Sequence, residues 1–186
     1  MGISELDSEG RLLTLDMGMA YVVNTYMPKS QGRPGRDEYR RKWDEAYRVF
    51  LLNLASEKPV IACGDYNVTM EQKDIYAENT RMSWAEQGYI SDERANLMRL
   101  LDEGFTDAYR HLYPNQENAF TWWSNRRNKR KDGRGWRLDY FLVSDDTKGQ
   151  ISDVVIHDEI IGSDHCRLFW TVPLRMRNMQ QSMRMP

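Results

Sequence analysis

Three groups of oxygen- and nitrogen-bearing side chains stand where apolar runs end. Gly64-Asp65-Tyr66-Asn67 follows Val60-Ile61-Ala62-Cys63, Asp139 interrupts Leu138 to Val143, and Ser163-Asp164-His165-Cys166 precedes Leu168-Phe169-Trp170. Asp65 and Asn67 are two apart, a spacing that on an extended segment turns both side chains to one face. Asp139 lies in mid-strand, where an unpaired carboxylate is costly. It calls for a partner, and His165 is the natural one. Carboxylates, a carboxamide and an imidazole suit a hard, oxygen-preferring divalent ion such as magnesium. Singly each group has an ordinary reading: a Gly-Asp pair after a strand is most often a turn, and Ser-Asp-His a turn whose aspartate caps the backbone.

The elements that must position these groups follow from periodicity. Arg11 to Leu15 and Met19 to Asn24 are predicted strands joined through Met17-Gly18, and Asp7 to Gly10 a turn. Pro28 to Gly35 is a loop. Tyr39, Trp43, Tyr47, Phe50, Leu51 and Leu54 recur three and four apart, predicting an amphipathic helix over 36–56. Pro59 opens the strand that leads to Asp65. A polar stretch, 69–88, precedes a second helix from Ser91 to about Gly104, and Phe105 to Tyr109 is expected to form a helical turn. Strands are predicted at Ala119 to Trp123, Trp136 to Val143, Val154 to Ile156 and Leu168 to Val172. Strict strand–helix alternation is missing, so the sheets should lean antiparallel under a cover of helices.

Composition narrows the class. The 186 residues carry a net charge of -2 with 29% charged residues, which excludes a globally basic, histone-like binder. Contact with an acidic partner must come from local patches, and one exists: seven Lys/Arg face a single Asp132 between Arg126 and Arg137. The two cysteines, Cys63 and Cys166, form neither a disulfide framework nor a zinc spacing. No apolar run reaches membrane-spanning length and no signal-like segment opens the chain, so the expected address is cytoplasmic, with no membrane partner.

Taken together the motifs are far more specific than singly. Asn24-Thr25-Tyr26-Met27-Pro28, Gly64-Asp65-Tyr66-Asn67-Val68, Gly135-Trp136-Arg137-Leu138-Asp139-Tyr140-Phe141 and Gly162-Ser163-Asp164-His165-Cys166 occur in this order. The series resembles the exonuclease III / apurinic-apyrimidinic endonuclease family of the endonuclease-exonuclease-phosphatase superfamily, from about Gly10 to about Leu174. The resemblance implies an α/β fold, a four-layer α/β/β/α sandwich, as one domain over 1–174 with a disordered tail at 175–186. It implies magnesium-dependent (or manganese-dependent) hydrolysis of the DNA phosphodiester 5′ to an abasic site, with 3′→5′ exonuclease activity. Its partner would be double-stranded DNA with abasic sites or 3′ ends.

Residue roles follow from the same resemblance. Asp65 would orient and deprotonate the attacking water, and Tyr26 would hydrogen-bond the phosphate or the leaving side. Asn67 would hold a phosphate oxygen or the metal, Asp139 would orient His165, and His165 would contact the scissile phosphate. Asp65, Asn67, Asp164 and His165 form the implied metal set. Trp122, Trp136 and Leu138 correspond to an apolar pocket for a flipped-out abasic sugar, against the ordinary reading of strand tryptophans as core. Arg33 and Arg130 would meet the phosphate backbone.

Two departures stand beside the match. The family's upstream segment, with its Gln-Glu-X-Lys glutamate as metal ligand, has no counterpart here, so the fold should be N-terminally incomplete and about a third shorter than a full family domain. An exposed apolar edge, a dimer or a partner segment completing the fold is then expected. Lys29 replaces a frequent asparagine, and Ser83 and Glu86 stand in a loop where relatives offer asparagines. A non-catalytic DNA-binding remnant and a phosphoesterase acting on a non-DNA substrate are the competing readings.

Overall fold

A computed structural model describes residues 1–30, 35–76, 88–125 and 129–171, with the side chains of 88–91 outside that description. Arg33, Ser83, Glu86 and the tail at 175–186 therefore lie outside the described residues. The helices are α1 (Ser4–Asp7), α2 (Arg36–Glu57), α3 (Gly88–Asp102) and α4 (Ala108–Leu112). The strands are β1 (Leu12–Asp16), β2 (Tyr21–Tyr26), β3 (Val60–Asp65), β4 (Phe105–Asp107), β5 (Trp122–Trp123), β6 (Gly135–Trp136), β7 (Asp139–Ser144), β8 (Asp153–His157) and β9 (Arg167–Thr171).

A five-stranded sheet in the order β1-β2-β3-β7-β4 organises the molecule. Its β2–β3 pair is parallel and its other pairs are antiparallel. Alternation along β7 divides the core between the two faces. Tyr140 and Leu142 point to one side, where Trp43, Tyr47 and Leu51 of α2 and Leu97 and Leu100 of α3 close the main core. Those α2 residues lie four apart, the stripe that the periodicity predicts. Phe141 and Val143 point to the opposite side and meet Val154 and Trp170 of the β8–β9 hairpin, with Phe141 stacked 5.7 Å from Trp170.

The result is the expected mixed α/β fold, with α2 and α3 on one face of the sheet and the β8–β9 hairpin with α4 on the other. The hairpin covers only the β7 side of its face. Toward the β1 edge, Leu13 and Leu15 share that face and are 60% and 50% exposed. Two exposed leucines thus lie on the sheet face beside the β1 edge.

Local details depart from the predicted elements. The turn expected at Asp7 to Gly10 is preceded by α1, whose Asp7 carboxylate gathers the Gly2 and Ile3 N–H groups and the terminal ammonium. Phe105 to Asp107 is a strand, and only then does Asp107 cap α4 by accepting the Tyr109 and Arg110 N–H groups. The strand predicted at 119–123 contracts to β5. The one predicted from Trp136 breaks between β6 and β7, because the Arg137 N–H donates to the Asp74 carbonyl and the Leu138 N–H to Thr121 Oγ1, outside any ladder.

Candidate active site

Strand direction explains how residues far apart in sequence meet. The parallel strands β2 and β3 end together, and antiparallel β7 begins beside them. Tyr26 is therefore in register with Asp65, and Asp65 with Asp139. The three side chains form a row across the sheet end, on the face that carries the β8–β9 hairpin. Gly64 makes the row possible. Its φ is +129°, and a Cβ there would stand 1.9 Å from the Thr25 carbonyl oxygen, so no side chain fits where β2 approaches.

Asn67 joins the row by a route other than the expected one. The strand ends at Asp65, and Asn67 has a left-handed φ of 52°, so extended-strand spacing does not align the pair. The Asn67 N–H instead donates to Asp65 Oδ1 at 2.8 Å, closing an Asx turn, while its Nδ2 donates to the Met27 carbonyl at 2.8 Å. A non-glycine residue held at positive φ beside a carboxylate is the kind of backbone cost that collects at functional sites.

His165 comes from the turn between β8 and β9. A bridge between Trp122 and His165 and the Trp123 N–H bonded to the Asp164 carbonyl lay this turn against β5. His165 Nδ1 is 2.9 Å from Asp139 Oδ2, the pairing that the mid-strand carboxylate called for, and its Nε2 lies 3.9 Å from Asp65 Oδ2. The imidazole thus stands between two carboxylates. Burial works against its charged form, but the Asp139 hydrogen bond and charge, with Asp65 and Asp164 behind them, hold its pKa above the ordinary 6.5. Asp65 moves the other way for an acid: burial, reinforced by the Asp139 charge, pushes it up to about 6, against the pull of the Asn67 N–H, His165 and Lys29. A largely buried carboxylate raised to about 6 beside an imidazole held above its ordinary value is a base and an acid kept close together.

The remaining predicted residues divide. Tyr26 is half exposed, with the Arg11 guanidinium 4.8 Å from its ring centroid. Trp122 and Trp136 meet edge to face at 5.7 Å, both partly exposed, whereas Leu138 is buried. Two residues of the basic run are engaged by protein groups. Arg130 donates to the carbonyls of Ser163, Asp158 and Ile160 and lies over the Trp123 ring. Arg137 is 1% exposed and held by Asp74 and Asp107, with Arg110 completing a buried four-charge cluster. Lys131 remains exposed, and Arg126 and Arg127 lie outside the described residues.

The implied metal set does not assemble. Asp164 Oδ2 accepts from Trp122 Nε1 at 3.1 Å, and His165 Nδ1 is taken by Asp139. Among the described residues, no three His, Cys, Asp or Glu side chains are grouped to hold an ion. These bonds use Asp164 Oδ2 and His165 Nδ1 and leave Asp164 Oδ1 and His165 Nε2 as further donor atoms, while Asp65 with Asn67 offers too few oxygens for a cage alone. These residues do not by themselves fit a resident magnesium or manganese ion.

Residues to which the sequence assigns no role hold the site's frame. Buried Arg40 donates from Nε to Asp44 at 2.6 Å, from Nη1 to the Pro28 carbonyl at 2.6 Å and from Nη2 to the Tyr66 carbonyl at 3.1 Å. It ties α2 to both loops that leave β2 and β3. Its helical position offered no signal, since charged residues on amphipathic helices normally face water. Lys29, flagged only as a replacement, sits with Nζ 5.9 Å from the Trp122 ring centroid.

Similarity to known proteins agrees with this geometry. The signature of the Endonuclease/Exonuclease/phosphatase family matches residues 3–165. An exodeoxyribonuclease of Bacillus subtilis is 41% identical over 166 residues, which are 89% of this chain and 65% of that protein. A DNA-(apurinic or apyrimidinic site) endonuclease of Dictyostelium discoideum is 37% identical over 94% of this chain and 48% of its own length. Among solved structures, the 3′-5′ exonuclease NExo of Neisseria meningitidis superimposes with a TM-score of 0.77 at 25% identity, covering 87% of this chain and 64% of that one. The chain thus spans less than two thirds of each of these relatives. With the signature running from Ile3 through the imidazole that joins Asp139 to Asp65, this chain belongs to the endonuclease/exonuclease/phosphatase family.

Proposed function

We propose that this chain carries the proton-handling part of a DNA-repair phosphodiesterase that cuts 5′ to abasic sites and removes nucleotides 3′→5′. The observation that carries the reading is the Asp139–His165–Asp65 line, 2.9 Å on one side and 3.9 Å on the other, at the end of the β2–β3–β7 row. The names of the Bacillus and Dictyostelium relatives supply the substrate class. In this reading Asp65, ionised above about pH 6, accepts the proton of the attacking water. His165, kept charged by Asp139, offers positive charge to the phosphate oxygens and a proton to the departing oxygen. Tyr26, at the far end of the row, presents its hydroxyl to the phosphate. Trp122 and Trp136 form the apolar wall against which a sugar without its base would rest.

The divalent-ion requirement implied by the family resemblance is a separate part of the proposal, and no step above is routed through an ion. The exposed face at Leu13 and Leu15 is read as the place where a completing segment or a second copy adds to the fold. The test is incubation of the protein and of an Asp65→Ala variant with an abasic-site duplex, with magnesium and with EDTA. Incision that is lost in the variant and with EDTA is the expected result; a duplex left intact by the unmodified protein refutes the catalytic reading. Among the described residues no three-ligand group is found, which favours one second reading, a DNA-binding but non-cutting domain that retains the duplex without incision.

A further inference from the structure

The turn that delivers His165 has little regular structure of its own. Between β8 and β9 the chain passes through 158–166, with Gly162 at a φ of +127° and Ile161 82% exposed. Three carbonyls of this turn converge on one side chain. Arg130 Nη1 donates to Ser163 O at 2.9 Å, and Nη2 donates to Asp158 O at 2.9 Å and Ile160 O at 2.8 Å. The same guanidinium lies 4.5 Å from the Trp123 ring centroid, and the Trp123 N–H donates to the Asp164 carbonyl at 2.9 Å. Arg130 and Trp123 therefore both hold the turn, immediately before His165, which meets Asp139 and Asp65. A planar fork of donors on a rigid ring face suits this work, since it holds several carbonyls in one plane at little rotamer cost.

We propose that Arg130 is a positioning residue of the active site: it binds the 158–163 turn and thereby fixes the approach of His165 to Asp139 and Asp65. The proposal rests on the catalytic reading of that line for its kinetic consequence, and on the turn's hydrogen bonds alone for its structural one. It also separates Arg130 from a phosphate contact, the role its place in a basic run first suggests. A phosphate contact needs only positive charge at the surface. A clamp needs the guanidinium shape, so lysine cannot replace it.

The full chain and its Arg130→Ala and Arg130→Lys variants are compared. With abasic duplex, both variants should lose kcat about 100-fold, the cost of displacing a reacting group by an ångström or so. KM and the slope of log affinity against log salt should stay unchanged. Added guanidinium ion should restore part of the kcat of Arg130→Ala. Without DNA, amide exchange at Trp123, whose N–H is bonded to Asp164 O, should quicken in both variants. A slope shallower by about 0.9 in Arg130→Ala, with Arg130→Lys close to the parent, identifies a phosphate contact and overturns the proposal. Exchange at Trp123 identical in all three proteins also overturns it. If the parent cuts no duplex, the catalytic reading fails, and the exchange comparison still decides whether Arg130 holds the turn.

Discussion

Replacing Asp65 by asparagine should make this protein more stable at neutral pH. The substitution keeps an oxygen for the Asn67 N–H, which reaches Oδ1 at 2.8 Å, and removes the charge. In the folded chain burial, with Asp139 beside it, pushes Asp65 up to about 6 from an ordinary 3.8. That rise of about 2 units means the ionised carboxylate costs the folded state about 3 kcal/mol. The folded chain holds this proton more tightly than the unfolded chain does. The cost is therefore absent below the ordinary value of 3.8, grows as pH rises, and is complete above about 6. Asp65→Asn should recover it, raising the melting temperature by about 6–12 °C for a domain of this size at about pH 7.5, and by almost nothing at about pH 4. Thermal denaturation followed by circular dichroism at the two pH values measures both. A variant that melts at or below the parent at neutral pH, or that gains equally at both, would show that Asp65 is not strained by burial and the Asp139 charge. The same variant should not cut DNA, making Asp65 a residue that gives up stability for chemistry.

Other consequences are as direct. Asp139→Asn leaves burial acting on His165 without its chief counterweight, so its pKa should fall. With three histidines in the chain, imidazole proton resonances can follow it, and an unmoved His165 titration refutes the pairing. In the same variant kcat should fall about 10- to 100-fold, the worth of one charge-assisted hydrogen bond. The parent's incision rate should drop as pH falls below about 6, where Asp65 takes up its proton, and a rate flat down to pH 5 would remove Asp65 as the base. Asp74→Asn removes the charge and one of the two acceptor oxygens that bind Arg137 at 2.8 and 3.0 Å and Arg110 at 2.5 Å in a fully buried cluster. Two guanidinium groups left short of charge should cost about 3–5 kcal/mol, or about 6–20 °C in melting temperature, and a shift under about 2 °C would contradict the buried network. If the Leu13–Leu15 face joins two copies, the protein sediments as a dimer and serine at both positions returns it to a monomer; an unchanged profile would remove that face as an association surface.

The chain's order of residues determined a good deal by itself. The apolar stripe of α2, the strand into Gly64-Asp65 and the alternation of β7 are local patterns, and local patterns can be read from spacing. The Asp139–His165 pair was legible too, because a carboxylate in a strand interior needs a partner and few residues can serve. The pattern did not say which side chains of the basic run reach water. Arg137 is buried by Asp74 and Asp107, and Arg130 is turned onto a distant loop, both through contacts more than 25 residues apart in sequence. Nor did spacing explain Asn67, whose left-handed backbone replaced the strand geometry that its i+2 position suggested. The pairing of a parallel β2–β3 with an antiparallel β7 was decided only in three dimensions. That pairing sets Tyr26, Asp65 and Asp139 in one row, since strand ends coincide by direction of travel and not by distance along the chain. The types of the site's residues were written in the sequence; their shared edge, their altered acidities and the clamp behind His165 came from burial and contact between segments that only folding brings together.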